Sequence, residues 1–334
     1  MTIMNRRKWL RLSALAGGVY TISGIMAFGN TGQEGYHLKN SGCLQLQLGK
    51  LEIFLFSDGH ITLPDPQPVF APEVDPDLVV RELKRIYLKE DQLEGAINVM
   101  VIKNGKQVIL VDTGSGHHFG ETGGWLLKNM EDKGIRPSDI TDILITHAHV
   151  DHIGGIVGKT GELLYPAARY YIAEKEYDFW ASGDPDFSGS KNTENPEGSV
   201  LLAQGVFRAI GNKLIKFRYG DVLFSCIRTE LAEGHTPGHT VFTVFSDGAF
   251  VKHIVDIVHT PLLITRPEWG TQWDVDFHKG VETRKRVLEE CYANRTLVMT
   301  THLPWPGLGY IGKNGKDYQW VPFSYFTPGE IIEI

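Results

Sequence analysis

Cysteine is scarce in this sequence. The 334-residue chain contains three, Cys43, Cys226 and Cys291, and none of them belongs to a CxxC pair. This spacing predicts no disulfide framework, although one pair could form in an oxidising compartment. Three small buried side chains are the simpler interpretation.

An excess of basic residues is also missing. The chain carries 33 lysines and arginines against 40 aspartates and glutamates, which gives a net charge of −7. Residues 1–29 hold four basic and no acidic side chains, so the rest of the chain is more acidic still. A nucleic-acid partner requires Lys and Arg to neutralise phosphates, and this charge balance argues against one.

Beyond the N-terminus, no apolar run is long enough to cross a bilayer. The N-terminus itself has adjacent Arg6 and Arg7, followed by a weakly apolar run over 12–28. This pattern resembles a twin-arginine export signal, so we predict that residues 1–29 are a signal peptide cleaved before Asn30. An uncleaved anchor and a frayed tail are the alternatives. Export would make the protein periplasmic or secreted.

Neither a fixed-period repeat nor a Ser/Gly linker divides the chain. Residues 44–59 alternate between apolar and polar and are predicted to form two strands joined at Gly49-Lys50, and 96–114 are predicted to form a hairpin around Asn104-Gly105. Strand patterns outnumber helical ones, and each half has strands with flanking helices. We therefore predict an α+β fold, one domain in which two β-sheets pack face to face with helices outside. The polar connector 182–199 is too long for an ordinary loop and is predicted to be a lid or rim.

The most informative stretch is THAHVDHIGG, residues 146–155. His147 and His149 are two residues apart and can point the same way from extended backbone. The turn that follows aims Asp151 and His152 at nearly the same point. Imidazole suits zinc, and a carboxylate fits beside it. Four potential ligands exceed the need of a single catalytic zinc, so the pattern favours two adjacent metals over a solvated polar loop.

This HxHxDH motif, followed by Gly-Gly, resembles the signature of the metallo-β-lactamase superfamily. Further motifs stand in the order of that family: LVDTG, EGHTPGHT, VDIVH and THLPWPG. The resemblance covers residues 45–325 and implies a four-layer αβ/βα sandwich. It also implies three more metal ligands, which are His235, Asp256 and His302.

The family resemblance further implies two divalent metal ions, zinc by preference, that share a hydroxide. The ligands implied for one ion are His147, His149 and His235. The ligands implied for the other are Asp151, His152 and His302. Asp256 would bridge the two ions and, as the predicted catalytic residue, pass a proton to the leaving group.

Four other stretches, DTGSGHHFG, DFW, HLPWPGLGYI and YQWVPFSYF, are similar to the methyl parathion hydrolase and dihydrocoumarin hydrolase group, which is lactonase-like. This likeness implies that Phe119 and Trp180 line the substrate pocket. His259 departs from that group, where the position is apolar. We expect His259 at the pocket as well, where it could pack beneath the metals, bond to a ligand or face the substrate. The connector 182–199 is a second departure.

The function implied is hydrolysis by a binuclear metal centre that opens a lactone or cleaves an ester, with phosphotriesterase activity as a side reaction. An organophosphate hydrolase of the methyl parathion type and a β-lactamase are alternatives. A mononuclear iron sulfur dioxygenase is the non-hydrolytic alternative. The acidic balance disfavours a nuclease, and the full set of seven ligands disfavours a non-catalytic scaffold.

Around this centre, we predict that Asp112 orients a ligand histidine and that His239 supports the site without binding metal. His117 and His118 are expected to be solvated loop residues. The predicted partner is a small-molecule substrate, with no nucleic acid and no membrane after signal removal. A homodimer is left open.

Overall fold

The computed structural model describes residues 42–325 and 331–334. The predicted signal peptide, residues 1–29, lies outside this part of the chain. Within the described ranges, the strands form one sheet of eight and one sheet of seven. None of the helices in these ranges combines the length and the apolar character needed to cross a membrane.

The first sheet has the strand order β15-β1-β2-β3-β4-β5-β6-β7. Its strands are β1 (Cys43–Leu48), β2 (Leu51–Pro64), β3 (Gln92–Asn104), β4 (Gln107–Val111), β5 (Asp142–Ile145), β6 (Arg169–Ala173), β7 (Leu214–Phe217) and β15 (Ile332–Glu333). Strands β1 to β4 pair antiparallel, whereas β4 to β7 pair parallel. The two predicted hairpins are therefore confirmed.

The second sheet has the order β14-β13-β12-β11-β10-β9-β8. Its strands are β8 (Val222–Leu223), β9 (Ile227–Leu231), β10 (Thr240–Ser246), β11 (Ala249–His253), β12 (Val298–Met299), β13 (Leu308–Asn314) and β14 (Asp317–Pro322). The only parallel pair among them is β11 with β12, within the described residues. That pair places the ends of β11 and β12, each of which leads into a predicted ligand motif, side by side.

The helices cover the outer faces of both sheets. They are α1 (Pro66–Phe70), α2 (Pro76–Arg85), α3 (Leu126–Asp132), α4 (Val150–Ile153), α5 (Glu174–Ala181), α6 (Glu197–Ile210), α7 (Pro261–Thr265) and α8 (Phe277–Ala293). One core lies between the sheets, where Leu55 of the first sheet and Phe242 of the second belong to the same buried cluster. A second core joins α3, α5 and α6 to the first sheet, and a third joins α1, α2, α7 and α8 to the second. The predicted four-layer αβ/βα sandwich is confirmed.

Two elements next to the predicted ligand motifs are short. Helix α4 begins at Val150 and ends after four residues. Gly155, just beyond it, packs so close to Thr113 that a Cβ there would lie 2.1 Å from the Thr113 carbonyl oxygen. Strand β11 ends at His253, and Val255 just beyond it adopts a positive φ of 49° that a strand cannot accommodate. The fold also exceeds the predicted range 45–325 at both ends, since β1 begins at Cys43 and pairs with β15.

Candidate active site

All seven predicted metal ligands lie in the segments that follow strands, on one edge of the sandwich. His147 and His149 follow β5, while Asp151 and His152 lie on the short helix α4. The other three come from the second sheet. His235 lies between β9 and β10, Asp256 in a 3-10 turn after β11, and His302 after β12. The two halves of the chain therefore meet at this edge.

The first group of donors consists of His147, His149 and His235. His147 Nε2 lies 3.1 Å from His149 Nδ1, and His149 Nδ1 lies 2.9 Å from His235 Nε2. Three ring nitrogens thus converge on one point. Three imidazole donors with room for a fourth ligand match the donor set of a catalytic zinc site.

The second group consists of Asp151, His152 and His302. The Nε2 atom of His302 lies 3.3 Å from Asp151 Oδ2, and that of His152 lies 3.8 Å from the same oxygen. All three side chains are buried, although Asp151 and His302 also line a cavity. This is a second place where a cation could be held.

Asp256 lies between the two groups. Its Oδ2 atom is 3.1 Å from His302 Nε2 and 3.3 Å from His152 Nε2 on one side. On the other side, it is 3.6 Å from His147 Nε2 and 3.4 Å from His235 Nε2. One carboxylate oxygen is therefore within reach of both donor groups, as a bridging ligand requires.

The outer nitrogens of four histidines show that these side chains fit a metal centre. His235 Nδ1 faces Asp274 at 3.0 Å, His152 Nδ1 faces Asp112 at 2.8 Å, His302 Nδ1 faces the Ala96 carbonyl at 2.8 Å, and His147 Nδ1 faces the Thr146 hydroxyl at 3.1 Å. Such partners hold the N–H on the outer nitrogen and turn the Nε2 lone pair inward. Inside, His152 Nε2 and Asp256 Oδ1 are buried without a hydrogen-bond partner among the described residues. Several lone pairs that converge in a buried space repel one another, and a bound cation would stabilise them.

The electrostatics of the cluster agree with this interpretation. Burial and neighbouring imidazoles hold the pKa values of His147 and His149 well below the ordinary range. Burial also lowers the pKa of His235, but Asp256 and Asp274 outweigh it and raise that pKa to about 9. Burial opposes ionisation of Asp256, yet His302, His152 and His147 hold its pKa well below the usual value. A bound cation would replace the protons that the cluster otherwise holds.

Asp112 and His239 occupy the supporting positions predicted for them. Asp112 accepts hydrogen bonds from the Thr146 amide at 2.8 Å and the Thr146 hydroxyl at 2.7 Å, in addition to its contact with His152. His239 faces the Ala232 carbonyl with Nδ1 and accepts from the Asp256 amide with Nε2. Since both ring nitrogens of His239 contact the backbone, no nitrogen is left for a metal.

Two buried carboxylates of this site were not predicted from the sequence. Asp274 lies between His235 and the guanidinium of Arg284, which is itself buried. Glu176 of α5 accepts four hydrogen bonds, from the Ala148 amide, the Gly238 amide, the Thr236 hydroxyl and Trp180 Nε1. Glu176 therefore connects the two segments that carry the histidines of the first donor group to Trp180 in the pocket wall.

Asp58 is a third carboxylate that sequence analysis missed. The register of β2 against β3 shifts between Ser57 and His60, where Gly59 has a φ of 112°. This irregularity turns Asp58 inward, and its carboxylate accepts from the Ser115, Gly124 and Leu126 amides. The loop over 115–126, which carries Phe119, is therefore held by Asp58 at both of its ends.

A cavity of about 400 Å³ opens above the two donor groups. The three predicted pocket residues, Phe119, Trp180 and His259, all line it. Trp180 is fully buried, with its ring 5.6 Å from that of His149. Sequence analysis missed the other apolar walls, which are Ile61, Leu63, Val150, Phe187 and Trp273.

The connector 182–199 forms the rim of this cavity. Its lining residues are Phe187, Ser190, Asn192, Glu194, Asn195, Pro196 and Ser199. The prediction of a rim agrees with this placement. No Lys or Arg lines the cavity among the described residues, so its fixed positive charge would come from bound metal alone.

His117, His118, Cys226 and Cys291 belong to neither donor group and do not line the cavity. His117 and His118 are exposed and stack on each other at 4.2 Å. Burial raises the pKa of Cys226 to about 11 and that of Cys291 to about 12. Because a metal binds the thiolate, such thiols are poor ligands.

Comparisons with known proteins identify the class. A model of the metallo-beta-lactamase superfamily matches residues 93–251. A solved lactonase is 34% identical to this chain in an alignment that covers 99% of the lactonase. The chain therefore belongs to the metallo-β-lactamase superfamily, and its class is that of the metal-dependent hydrolases.

That solved structure is AidC, a dizinc quorum-quenching lactonase in complex with a product, N-hexanoyl-L-homoserine; the alignment covers 86% of this chain with a TM-score of 0.81. The hydrolase AbOPH of the beta lactamase superfamily is 28% identical, with 86% and 99% of the two chains covered and a TM-score of 0.77. Metallo-beta-lactamase domain-containing protein 1 of Xenopus laevis is 28% identical over 96 residues. That match spans 28% of this chain and about a third, 33%, of the curated relative. The finer likeness to methyl parathion hydrolase and dihydrocoumarin hydrolase stays a prediction.

Proposed function

We propose that the protein is a binuclear zinc hydrolase that opens a lactone or cleaves an uncharged ester. The observation that carries this proposal is the pair of donor groups, His147–His149–His235 and Asp151–His152–His302, which share Asp256 at the floor of the cavity. The likeness to AidC, a dizinc lactonase, supports both the metal and the reaction.

In the proposed reaction, water adds to the acyl carbon, the acyl C–O bond breaks, and the leaving oxygen takes up a proton. Two divalent ions would supply a nucleophile at neutral pH and Lewis acidity at the acyl oxygen. Asp256, whose Oδ2 atom lies between the two donor groups and which lines the cavity, would relay a proton to the leaving oxygen. The walls formed by Phe119 and Trp180 would keep bulk water away from the acyl carbon.

The charge of the cavity favours an uncharged substrate. Among the described residues, no Lys or Arg lines the cavity, and its rim carries the acidic Glu194. No lining side chain could therefore form an ion pair with a substrate carboxylate. β-Lactam antibiotics carry such a carboxylate, so this alternative is disfavoured. Apolar walls from Ile61, Leu63 and Trp273 suit an acyl chain. An N-acyl homoserine lactone, whose hydrolysis product AidC holds, is therefore the first substrate to test.

A neutral phosphotriester is the second candidate. It also lacks a negative charge, and the aromatic side chains of Phe119, Trp180 and Phe187 at the cavity suit an aryl leaving group. The sequence resemblance to methyl parathion hydrolase favours it as a side activity.

The function is tested with zinc- and manganese-loaded protein on lactones, aryl esters, phosphotriesters and β-lactams, together with metal analysis. We expect about two ions per chain and fastest turnover of a lactone or ester. Asp256→Asn should abolish turnover while the protein stays folded, whereas Asp247→Asn, at an exposed turn, should leave it unchanged. One tightly bound iron with sulfur dioxygenase activity and no hydrolysis would contradict the proposal.

We further propose that the predicted signal peptide exports the protein, whose partner is a small-molecule substrate. Changing Arg6 and Arg7 to Lys should leave the protein in the cytoplasm, as shown by cell fractionation. Normal export of this double variant would rule out the twin-arginine route.

A further inference from the structure

We infer that Asp58 is a positioning residue for substrate selectivity. Its carboxylate fixes the loop over 115–126, so that Phe119 keeps its place in the cavity wall and holds the part of the substrate that does not react. This inference rests on the proposed hydrolysis, because it concerns how the same site selects its lactone or ester.

Asp58 joins the two ends of the loop through one fully buried side chain. At the first end, its Oδ2 atom accepts from the Ser115 amide and from the Ser115 hydroxyl, each at 2.8 Å. At the second end, Oδ2 accepts from the Gly124 amide at 3.3 Å, and Oδ1 accepts from the Leu126 amide at 2.9 Å. Hydrogen bonds to a charged acceptor are stronger than those to a neutral one, so these four bonds hold the two ends together.

The loop packs tightly around this carboxylate. A Cβ on Gly114, just before the loop, would lie 2.4 Å from Asp58 Cγ, so glycine leaves the space that the carboxylate occupies. Between the two ends, Gly116 and Gly120 have positive φ values of 58° and 63°. Because glycine tolerates many backbone conformations, the loop depends on its ends for a fixed course.

Phe119 lies between the two held ends and lines the cavity. It is half-buried and packs against the core cluster that contains Trp180. Asp58 does not line the cavity, and its four hydrogen bonds go to none of the seven predicted metal ligands. Asp58 therefore acts on a substrate through the loop, and the metal centre does not depend on it.

This separation predicts which kinetic constant changes. An apolar chain that does not react contacts Phe119 equally well in the bound substrate and in the transition state. Loss of such a contact raises KM and leaves kcat nearly unchanged. A general loss of stability would not depend on the length of the substrate chain.

The test compares decanoyl with butanoyl substrates, offered as homoserine lactones and as p-nitrophenyl esters. For Asp58→Asn, we expect KM to rise about 10-fold for the decanoyl substrates and less than about 2-fold for the butanoyl ones, with kcat and metal content unchanged. Ser115→Ala removes one of the four hydrogen bonds and should raise the decanoyl KM by a smaller factor. This variant carries the test if Asp58→Asn does not fold. Asp75→Asn, at an exposed carboxylate that accepts from two amides of α2, is the matched control.

Two further measurements separate this role from a merely structural one. In a Phe119→Ala background, Asp58→Asn should raise KM no further, whereas additive effects would place the action of Asp58 elsewhere and overturn the inference. Hydrogen exchange of 115–126 in the folded protein should be faster in Asp58→Asn than in the wild type. Equal exchange would show that Asp58 does not hold the loop and would also overturn the inference.

The proposed function can fail separately from this inference. If the wild type hydrolyses the decanoyl substrates and Asp58→Asn shows the same KM, the inference alone is wrong. If the wild type binds two ions and hydrolyses no lactone or ester, the proposed function is wrong, whichever way the loop exchanges.

Discussion

Asp274 holds the outer nitrogen of His235, with Oδ1 at 3.0 Å from Nδ1. Its other oxygen, Oδ2, accepts from the buried Arg284 at 3.1 Å. Arg284 in turn donates to the Ile257 carbonyl, next to Asp256 in the chain. Asp274 therefore orients one donor of the first group and ties it to the turn that presents the shared carboxylate.

Asp274→Asn should weaken one metal site more than the other. The amide can still contact His235 but no longer balances Arg284 with a charge, so we expect a loss of about 10- to 100-fold in the affinity of the first ion. Competition with a chelator measures both affinities. Asp276→Asn, the same change at the exposed N-cap of α8, should leave both affinities unchanged. Equal weakening of both ions would contradict the assignment of His235 to one group.

Glu176→Gln should destabilise the whole fold. The two carboxylate oxygens each accept two of the four hydrogen bonds, and an amide nitrogen in place of one oxygen would face two donors. We expect a loss of about 2–4 kcal/mol in the free energy of unfolding, measured by urea titration. Glu174→Gln, a half-exposed position on the same helix, should change it by less than about 0.5 kcal/mol.

Removal of the metal ions should lower the melting temperature. Each ion that binds only the folded state at about 1,000 times its Kd adds about 4 kcal/mol, which for a chain of this size corresponds to about 6 °C per ion. Calorimetry with and without a chelator measures the difference. The shift should be much smaller for Asp256→Asn, and an equal shift there would show that the stabilising ions are bound elsewhere.

Lys252→Met should change stability in a pH-dependent way. Burial lowers the pKa of Lys252, but hydrogen bonds with Glu230 and Glu290 outweigh it and raise that pKa above 10.5. The contribution of the charged lysine is thus fully present below pH 10.5 and is lost as the pH rises through the higher folded-state pKa. We expect the free energy of unfolding of the variant to be roughly 1–2 kcal/mol below that of the wild type at pH 8, and this difference to be smaller at pH 11. Urea titrations at both pH values measure this. Lys50→Met, at an exposed position, should show no such narrowing.

The sequence predicted the layers of the fold and the convergence of four side chains around His147, because both depend on short-range order. Alternation of apolar residues over 44–59 requires a half-buried strand, and strand followed by turn makes neighbouring side chains converge. His235, Asp256 and His302 are far from that motif in the chain, and only the family resemblance connected them to it.

The supporting carboxylates could not be predicted in this way. Glu176 stands between Lys175 and Tyr177, in a pattern typical of a solvated helix face. Its four partners come from three separate segments, so its burial depends on tertiary packing. Asp58 becomes buried only through the irregular pairing of β2 with β3. Apolar walls such as Trp273 look in the sequence like any core aromatic.

The shared position of Asp256 has a consequence for the rate of unfolding. Its neighbours in the centre come from the segments after β5 and β12, which belong to different sheets and lie far apart in the chain. Metal ions bound there would act as a crosslink between the sheets, closing one long loop of the polypeptide. The sheets could separate only after ligands had been released, so the loaded protein would resist proteases and mechanical force for longer than its equilibrium stability alone would suggest.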